Sequence, residues 1–329
     1  MNSFDSFIGN RKIIERLQTK LRAGRFPHAL IFSGPEGVGK HTCATMIAKA
    51  LNCTKAAPGD FCGECSSCRK IDSGTHPDVM TISVEEDAAQ IKIGQVRQML
   101  RILDLEPLEG RSKVFIIDPA DLLNPEASNA LLKGLEEPPQ NSVFILVTAN
   151  FRELLLTVRS RSQLYNFTPL TAEEMRRSGV SDELVVRWSQ GSIGRALSTD
   201  RTQLESERAL VLDFLETAVS AGEDQFQQLL TLSADFGRPK QDFEHRMMIL
   251  SVIIADVLYL KEDLPARVIN IDVLDRLKKI AGSVSGDRLI QIAEFLGFIE
   301  SNLKNYVNRQ MLTDTLAVTA NETICSGGL

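Results

Sequence analysis

The chain has 329 residues, 43% of them apolar, with 43 acids against 37 bases for a net charge of −6. That length accommodates two or three domains, and the acidic balance excludes a protein whose whole surface grips nucleic acid, though not a local basic patch. The longest apolar stretch, Met247 to Leu260, is too short to span a bilayer and carries Asp256. The N-terminus has no apolar signal-peptide core, so a cytoplasmic protein with reduced thiols and no membrane partner is expected.

In chain order, "HALIFS" (28–33), "VMTIS" (79–83), "KVFIID" (113–118), "VFILVT" (143–148) and "QLYNF" (163–167) read as strands. The first, third and fourth are near-continuous apolar runs, the pattern of parallel strands covered on both faces. Helices are expected between them. One runs from Gly39 to about Asn52. Another is capped by Asn124, opened by Pro125 and stopped by Pro138-Pro139. Strand–helix alternation predicts an α/β domain with an open five-stranded parallel sheet. After Thr168-Pro169 no strand-like run follows. A short helical segment surrounds 183–197, and from about Gln203 long amphipathic helices follow, broken at Gly222, Gly237–Pro239, Pro265 and Gly286.

Four cysteines, Cys53, Cys62, Cys65 and Cys68, are spaced C-x8-C-x2-C-x2-C. Thiolates two residues apart can share one tetrahedral zinc, and the Pro58-Gly59 turn lets Cys53 reach back. With four sulfur ligands no position is left for water, so the expected zinc is structural. The alternative is four unrelated thiols. Cys43, on the apolar side of its helix, and Cys325 read as ordinary thiols, and His76 as part of a turn entering a strand.

"GPEGVGKHT" (34–42) follows a strand and opens a helix, as a phosphate-binding loop must. Gly34, Gly39 and Lys40 fit G-x-x-x-x-G-K-[ST], with Gly37 and Thr42 beside them. His41 stands where the magnesium-binding hydroxyl belongs, and imidazole suits that hard cation poorly. Thr42 is turned away by about 100° on the helix. Asp118 ends an apolar strand, as the metal-side carboxylate of such ATPases does. Pro119 follows it, in place of the acid that orients the attacking water. ATP or ADP held without hydrolysis, and a turn with no ligand, are both open readings.

These motifs, with "FIGN" (7–10), "RFPHALIFSGPEGVGK" (25–40), "HPDV" (76–79), "NALLKGLEEPP" (129–139), "TVRSRSQ" (157–163), "GSIGRAL" (191–197) and "NYVN" (305–308), resemble the δ′-type subunits of the bacterial DNA polymerase III clamp loader, a branch of the AAA+ family. The resemblance implies an AAA+ domain over 1–168 with a zinc module inserted at 53–68, a helical lid over 169–205 and an all-α collar over 206–329. It implies the motor subunits γ/τ and the δ subunit as partners in a ring that places the β sliding clamp on primed DNA. A subunit with no ATPase activity of its own, within the polymerase III holoenzyme, is expected. Arg161, in Ser160-Arg161-Ser162, matches an arginine finger reaching a neighbour's ATP site, whereas Arg159 is off the pattern. Thr148 and Asn150 lie at the end of the fourth strand, near any phosphate. Gly194 holds the place of an arginine found in motor subunits, and Arg195 follows it.

The competing reading is a catalytically active AAA+ ATPase, a motor subunit of the loader or a helicase-loader type. It requires a hydroxyl after Lys40 and an acid after Asp118. A zinc-dependent DNA-binding module would require a basic surface about the cysteines, and Lys55, Arg69 and Lys70 are nearly balanced there by Asp60 and Glu64. The helices after residue 206 are apolar on more than one face ("MMILSVIIADVLYL", "LIQIAEFLGFI"), which predicts a partner surface, the alternative being a self-contained bundle, since a stripe alone does not distinguish a core from an interface.

Overall fold

The computed structural model describes residues 3–86, 88–220, 226–237, 240–302 and 311–316. The breaks expected at Gly222 and Pro239, the 305–308 motif and Cys325 lie outside the described residues. Two compact units divide the chain. One comprises Met1–Ser181 with Ser189–Leu197, the other Asp182–Trp188 with Ser198–Leu329.

The first unit runs α1 (Arg11–Arg22), β1 (Ala29–Ser33), α2 (Lys40–Asn52), α3 (Ser66–Asp72), β2 (Val79–Ile82), α4 (Ile93–Leu103), β3 (Lys113–Ile117), α5 (Pro125–Glu136), β4 (Ser142–Thr148), α6 (Leu156–Arg159), β5 (Gln163–Asn166), α7 (Ala172–Arg177) and, after the chain returns, α9 (Ile193–Ser198). α8 (Glu183–Trp188) belongs to the second unit.

All five strands pair in parallel in the order β2-β3-β4-β1-β5. β1, β3 and β4 are buried along their whole length, which is why their sequences are unbroken apolar runs. On one face α4 and α5 pack Val96, Met99, Leu131 and Leu135 against Phe115, Phe144 and Leu146. α5 starts as its sequence requires, with the Asn124 side chain accepting from Ala127 N at 2.8 Å and Pro125 in the first turn. The strand order places the C-terminal ends of β1, β3 and β4 side by side. Ligands of open parallel sheets bind at that edge.

The second unit is helical throughout its described residues: α8, α10 (Arg201–Ser220), α11 (Phe226–Phe236), α12 (Lys240–Lys261), α13 (Leu274–Ser283) and α14 (Gly286–Asn302). Trp188, Leu212, Phe214, Phe236, Phe243, Met247, Ile253 and Leu296 lie in one core. The apolar stretch 247–260 has no exposed residue. α12 is the central helix, packed against α10, α13 and α14. Its several apolar faces therefore fill this unit's own interior, as a self-contained bundle would. α14 does keep Ile290 and Phe298 exposed, at 49% and 60%. Buried polar groups brace the core. Asp256 accepts from Ile269 N at 2.8 Å, Asn270 N at 2.9 Å and Asn270 Nδ2 at 2.8 Å. Arg208 donates to Asn270 Oδ1 at 3.1 Å and Asp272 Oδ1 at 2.8 Å.

Candidate functional site

At the C-terminal edge of the sheet, a cavity of about 580 Å³ is lined by Gly37, Gly39, Lys40, His41, Thr42, Asp118, Thr148 and Gly194 among others. That volume lies in the range of small-molecule and cofactor sites. Gly34 follows β1 and donates its N–H to Thr148 O at 3.3 Å. Gly39, at φ 92°, stands in the left-handed region immediately before α2, a position that favours glycine. Gly37 also has positive φ, and an added Cβ would lie 2.2 Å from Ser192 Oγ and 3.1 Å from the backbone of Gly194. Gly194 N donates to Gly37 O at 3.0 Å. No side chain fits between these two glycines, where the segment entering α9 meets the loop.

Lys40 is 6% exposed, and its Nζ donates to Gly34 O at 2.5 Å and Pro35 O at 2.6 Å. Burial lowers its pKa, and the charges of Asp118, Glu36 and Asp121 partly restore it. His41 and Asp118, 77 residues apart, meet: His41 Nδ1 lies 2.8 Å from Asp118 Oδ2. Thr42 lines the same cavity. Thr148 is fully buried and its Oγ1 accepts from Asn150 N at 3.0 Å. Asn150 caps the short turn after β4 through Arg152 N at 3.1 Å and is not among the lining residues.

Phe7 and Ile8, which line the cavity from the N-terminal segment, and Ile193 from α9 fall in the segments "FIGN" and "GSIGRAL" singled out in the sequence, but none was read there as a site residue. The His41–Asp118 contact was missed as well, because nothing local joins those two positions.

Arg161 follows α6 on the surface. Its Nη2 lies 2.8 Å from Glu136 Oε1, and its Nη1 donates to Thr157 O at 3.0 Å and Ser160 Oγ at 3.3 Å. Arg159 instead lies over the Phe151 ring, 5.0 Å from its centroid.

Cys53, Cys62, Cys65 and Cys68 place their sulfurs within 4.8 Å of one another. The Cys53–Cys62 and Cys53–Cys65 separations are 3.6 and 4.0 Å. A tetrahedron with metal–sulfur bonds of about 2.3 Å has edges of about 3.8 Å, so the sulfurs fit one four-thiolate metal. Backbone N–H groups point at them: Ala56 N to Cys53 Sγ at 3.3 Å, Cys65 N to Cys62 Sγ at 3.3 Å and Cys68 N to Cys65 Sγ at 3.4 Å. Burial raises the Cys65 thiol, but the backbone N–H groups of Cys68 and Thr54 and those two residues' side chains outweigh it and bring its pKa down to about 6. Cys53 is lowered in the same way, N–H donors outweighing burial. Cys68 goes the other way, its thiol raised by burial and by the neighbouring Cys65 and Cys53, so the two lowered thiols are the ones poised as the thiolate a metal binds. His76 is buried apart from them, between Ser67 Oγ at 3.1 Å and Asp78 N at 3.1 Å.

The parallel sheet, with a glycine loop opening α2 and a carboxylate after β3, defines an AAA+-type P-loop domain followed by a helical one. A solved DNA polymerase III gamma subunit-related protein from Thermotoga maritima shares this fold, at TM-score 0.50 and 16% identity over 94% of this chain and 99% of that one. The family described as "DNA polymerase III, delta subunit" matches residues 9–171, and its C-terminal family matches 206–318. The Escherichia coli K12 DNA polymerase III subunit delta′ is 30% identical over 93% of this chain and 92% of its own length. The chain belongs to this family of DNA polymerase III delta-type clamp-loader subunits. The tau subunit of Bacillus subtilis 168 is 35% identical over 58% of this chain, and the match spans about a third of tau, 34% of its length.

Proposed function

We propose that the chain is a non-hydrolysing, δ′-type member of the clamp loader that completes a neighbouring subunit's ATP site through Arg161. The observation that carries this reading is the His41–Asp118 contact of 2.8 Å. Where hydrolysis needs a hydroxyl and a carboxylate on magnesium, an imidazole occupies the first place and binds the second. Pro119 supplies no acid to orient water. Metal binding and water activation are separate requirements, and both fail here. The cavity is large enough for a nucleotide, and Lys40 and the N-terminus of α2 would hold ATP or ADP by its phosphates without cleaving it.

Arg161 is surface-exposed, outside its own subunit's cavity, so the phosphate it serves belongs to a second chain. Its planar fork suits phosphate oxygens in a way that lysine does not reproduce. The partners are the γ/τ and δ subunits, and through the ring the β clamp and primed DNA. The compartment is the cytoplasm, and no helix among the described residues is long and apolar enough to cross a membrane. Zinc is the metal of the cysteine cluster.

The isolated chain is expected to show no ATP turnover, and His41→Thr alone should not restore it. Turnover by the wild-type chain that Lys40→Ala abolishes would sink this half of the proposal. In a reconstituted ring, Arg161→Ala in this chain alone should leave assembly intact. It should lower DNA-dependent ATPase and clamp loading by roughly the orders of magnitude seen for other arginine fingers, about 10³ for the affected site. Arg161→Lys should rescue little and Arg159→Ala should matter less. Wild-type loading with Arg161→Ala would make the arginine a plain surface residue.

A further inference from the structure

The last residue of α5 is an acid, Glu136, and another, Glu137, caps the helix. Helix C-termini carry partial negative charge and disfavour carboxylates, so local propensity does not account for Glu136. Its contact does. Oε1 lies 2.8 Å from Arg161 Nη2, across 25 residues of chain that include the whole of β4 and α6. The other terminal nitrogen of the same guanidinium donates to Thr157 O and Ser160 Oγ. The turn carrying Arg161 is itself closed, with Arg161 N donating to Val158 O at 3.3 Å and Ser162 Oγ to Val158 O at 2.9 Å. Backbone, a hydroxyl and a carboxylate therefore fix both ends of the planar group.

We infer that Glu136 is a positioning residue for Arg161, holding the guanidinium in the orientation in which it meets a phosphate of the neighbouring subunit. The inference rests on the proposed role of Arg161. A free arginine at a surface samples many rotamers, and ordering it only when the neighbour's nucleotide arrives sets that entropy against the contact. The carboxylate orders it beforehand. Glu136 touches no reacting atom and acts through Arg161 alone.

The test is a double-mutant cycle in the reconstituted ring, with Glu136→Ala, Arg161→Ala and both together in this chain. Assembly is checked by gel filtration and DNA-stimulated ATPase measured over a range of ATP concentrations. Glu136→Ala should lower kcat roughly 3- to 10-fold with KM nearly unchanged, as expected when a catalytic group is misplaced and substrate binding is not. Glu136→Asp should recover part of the loss. In the Arg161→Ala background, Glu136→Ala should do nothing further. Three results would overturn the inference: no effect of Glu136→Ala where Arg161→Ala is severe, an equal loss in both backgrounds, or a rise in turnover, which would make the carboxylate a competitor for the arginine. If Arg161→Ala itself is silent, the arginine-finger reading falls and this inference with it.

Discussion

Asp78, at the turn into β2, is 3% exposed and accepts from three successive backbone N–H groups, Leu108 at 2.7 Å, Glu109 at 2.8 Å and Gly110 at 2.7 Å. Burial alone would raise its pKa. The three donors outweigh it and hold the carboxyl below its ordinary 3.8. A depressed folded pKa means that the carboxylate's contribution to stability is complete above the ordinary value and is lost as pH falls through the lowered one. Asp78→Ala strips the partner from three N–H groups and should cost about 2–4 kcal/mol in urea unfolding at pH 7. The wild-type advantage should shrink below about pH 4. An unchanged urea midpoint for Asp78→Ala at pH 7 would refute this account. "HPDV" was legible as a turn, but not its purpose, because the N–H groups that donate to Asp78 lie 30 to 32 residues downstream. His41–Asp118 and Glu136–Arg161 were hidden for the same reason. The residue types were visible, while the closure that joins them belongs to the tertiary fold.

At the scale of elements, the readable ones carry their cause locally. The buried strands show as apolar runs, and α5 shows through Asn124 and Pro125. α1 and α4 were not singled out because neither opens on an N-cap side chain bonded to its own first turn, although Gln95 Oε1 accepts from Lys92 N at 3.1 Å. The Asn10 side chain before α1 is engaged with Thr168, 158 residues away, and not with its own helix. α4 opens after Lys92, which brings no side-chain oxygen. The cysteine module is the opposite case, since its four cysteines fall within sixteen residues and α3 begins at Ser66 between two of them. Metal binding and folding are coupled in such loops. One zinc per chain is expected by elemental analysis of protein purified without chelator. Cys62→Ser/Cys65→Ser should lose the metal and lower the melting temperature of the first unit. Metal-free wild-type protein, or an equally stable double variant, would count against a structural zinc.

At the scale of the whole molecule, the chain leaves the first unit at Asp182, returns at Ser189 and leaves again at Ser198. Residue 206, where a collar was expected to begin and where the C-terminal family match starts, lies inside α10, while the compact second unit also takes in Asp182–Trp188 and Ser198 onward. Amphipathic periodicity could not reveal this, because α8 and α9 are each only six residues long, too short to show a period, while belonging to different units. The consequence can be measured with the chain's single tryptophan. Trp188 is 1% exposed, packed edge-on against His245 at 6.2 Å, while the neighbouring Arg187 donates to Val268 O at 3.2 Å. Its emission therefore reports on the second unit. Chelating the metal of the cysteine module, which lies wholly in the first unit, should leave that emission unshifted while thermal stability falls. A fragment ending at residue 205 keeps Leu184 and Trp188 but removes most of the core that buries them. It should show red-shifted emission and bind apolar dyes, so its failure to assemble would not by itself locate an interface in 206–329. Ile290→Ser and Phe298→Ser, both exposed on α14, are the cleaner probes of assembly, because each should leave the tryptophan signal intact. A blue, well-buried emission from the 205-residue fragment would show that α8 does not depend on the second unit's core.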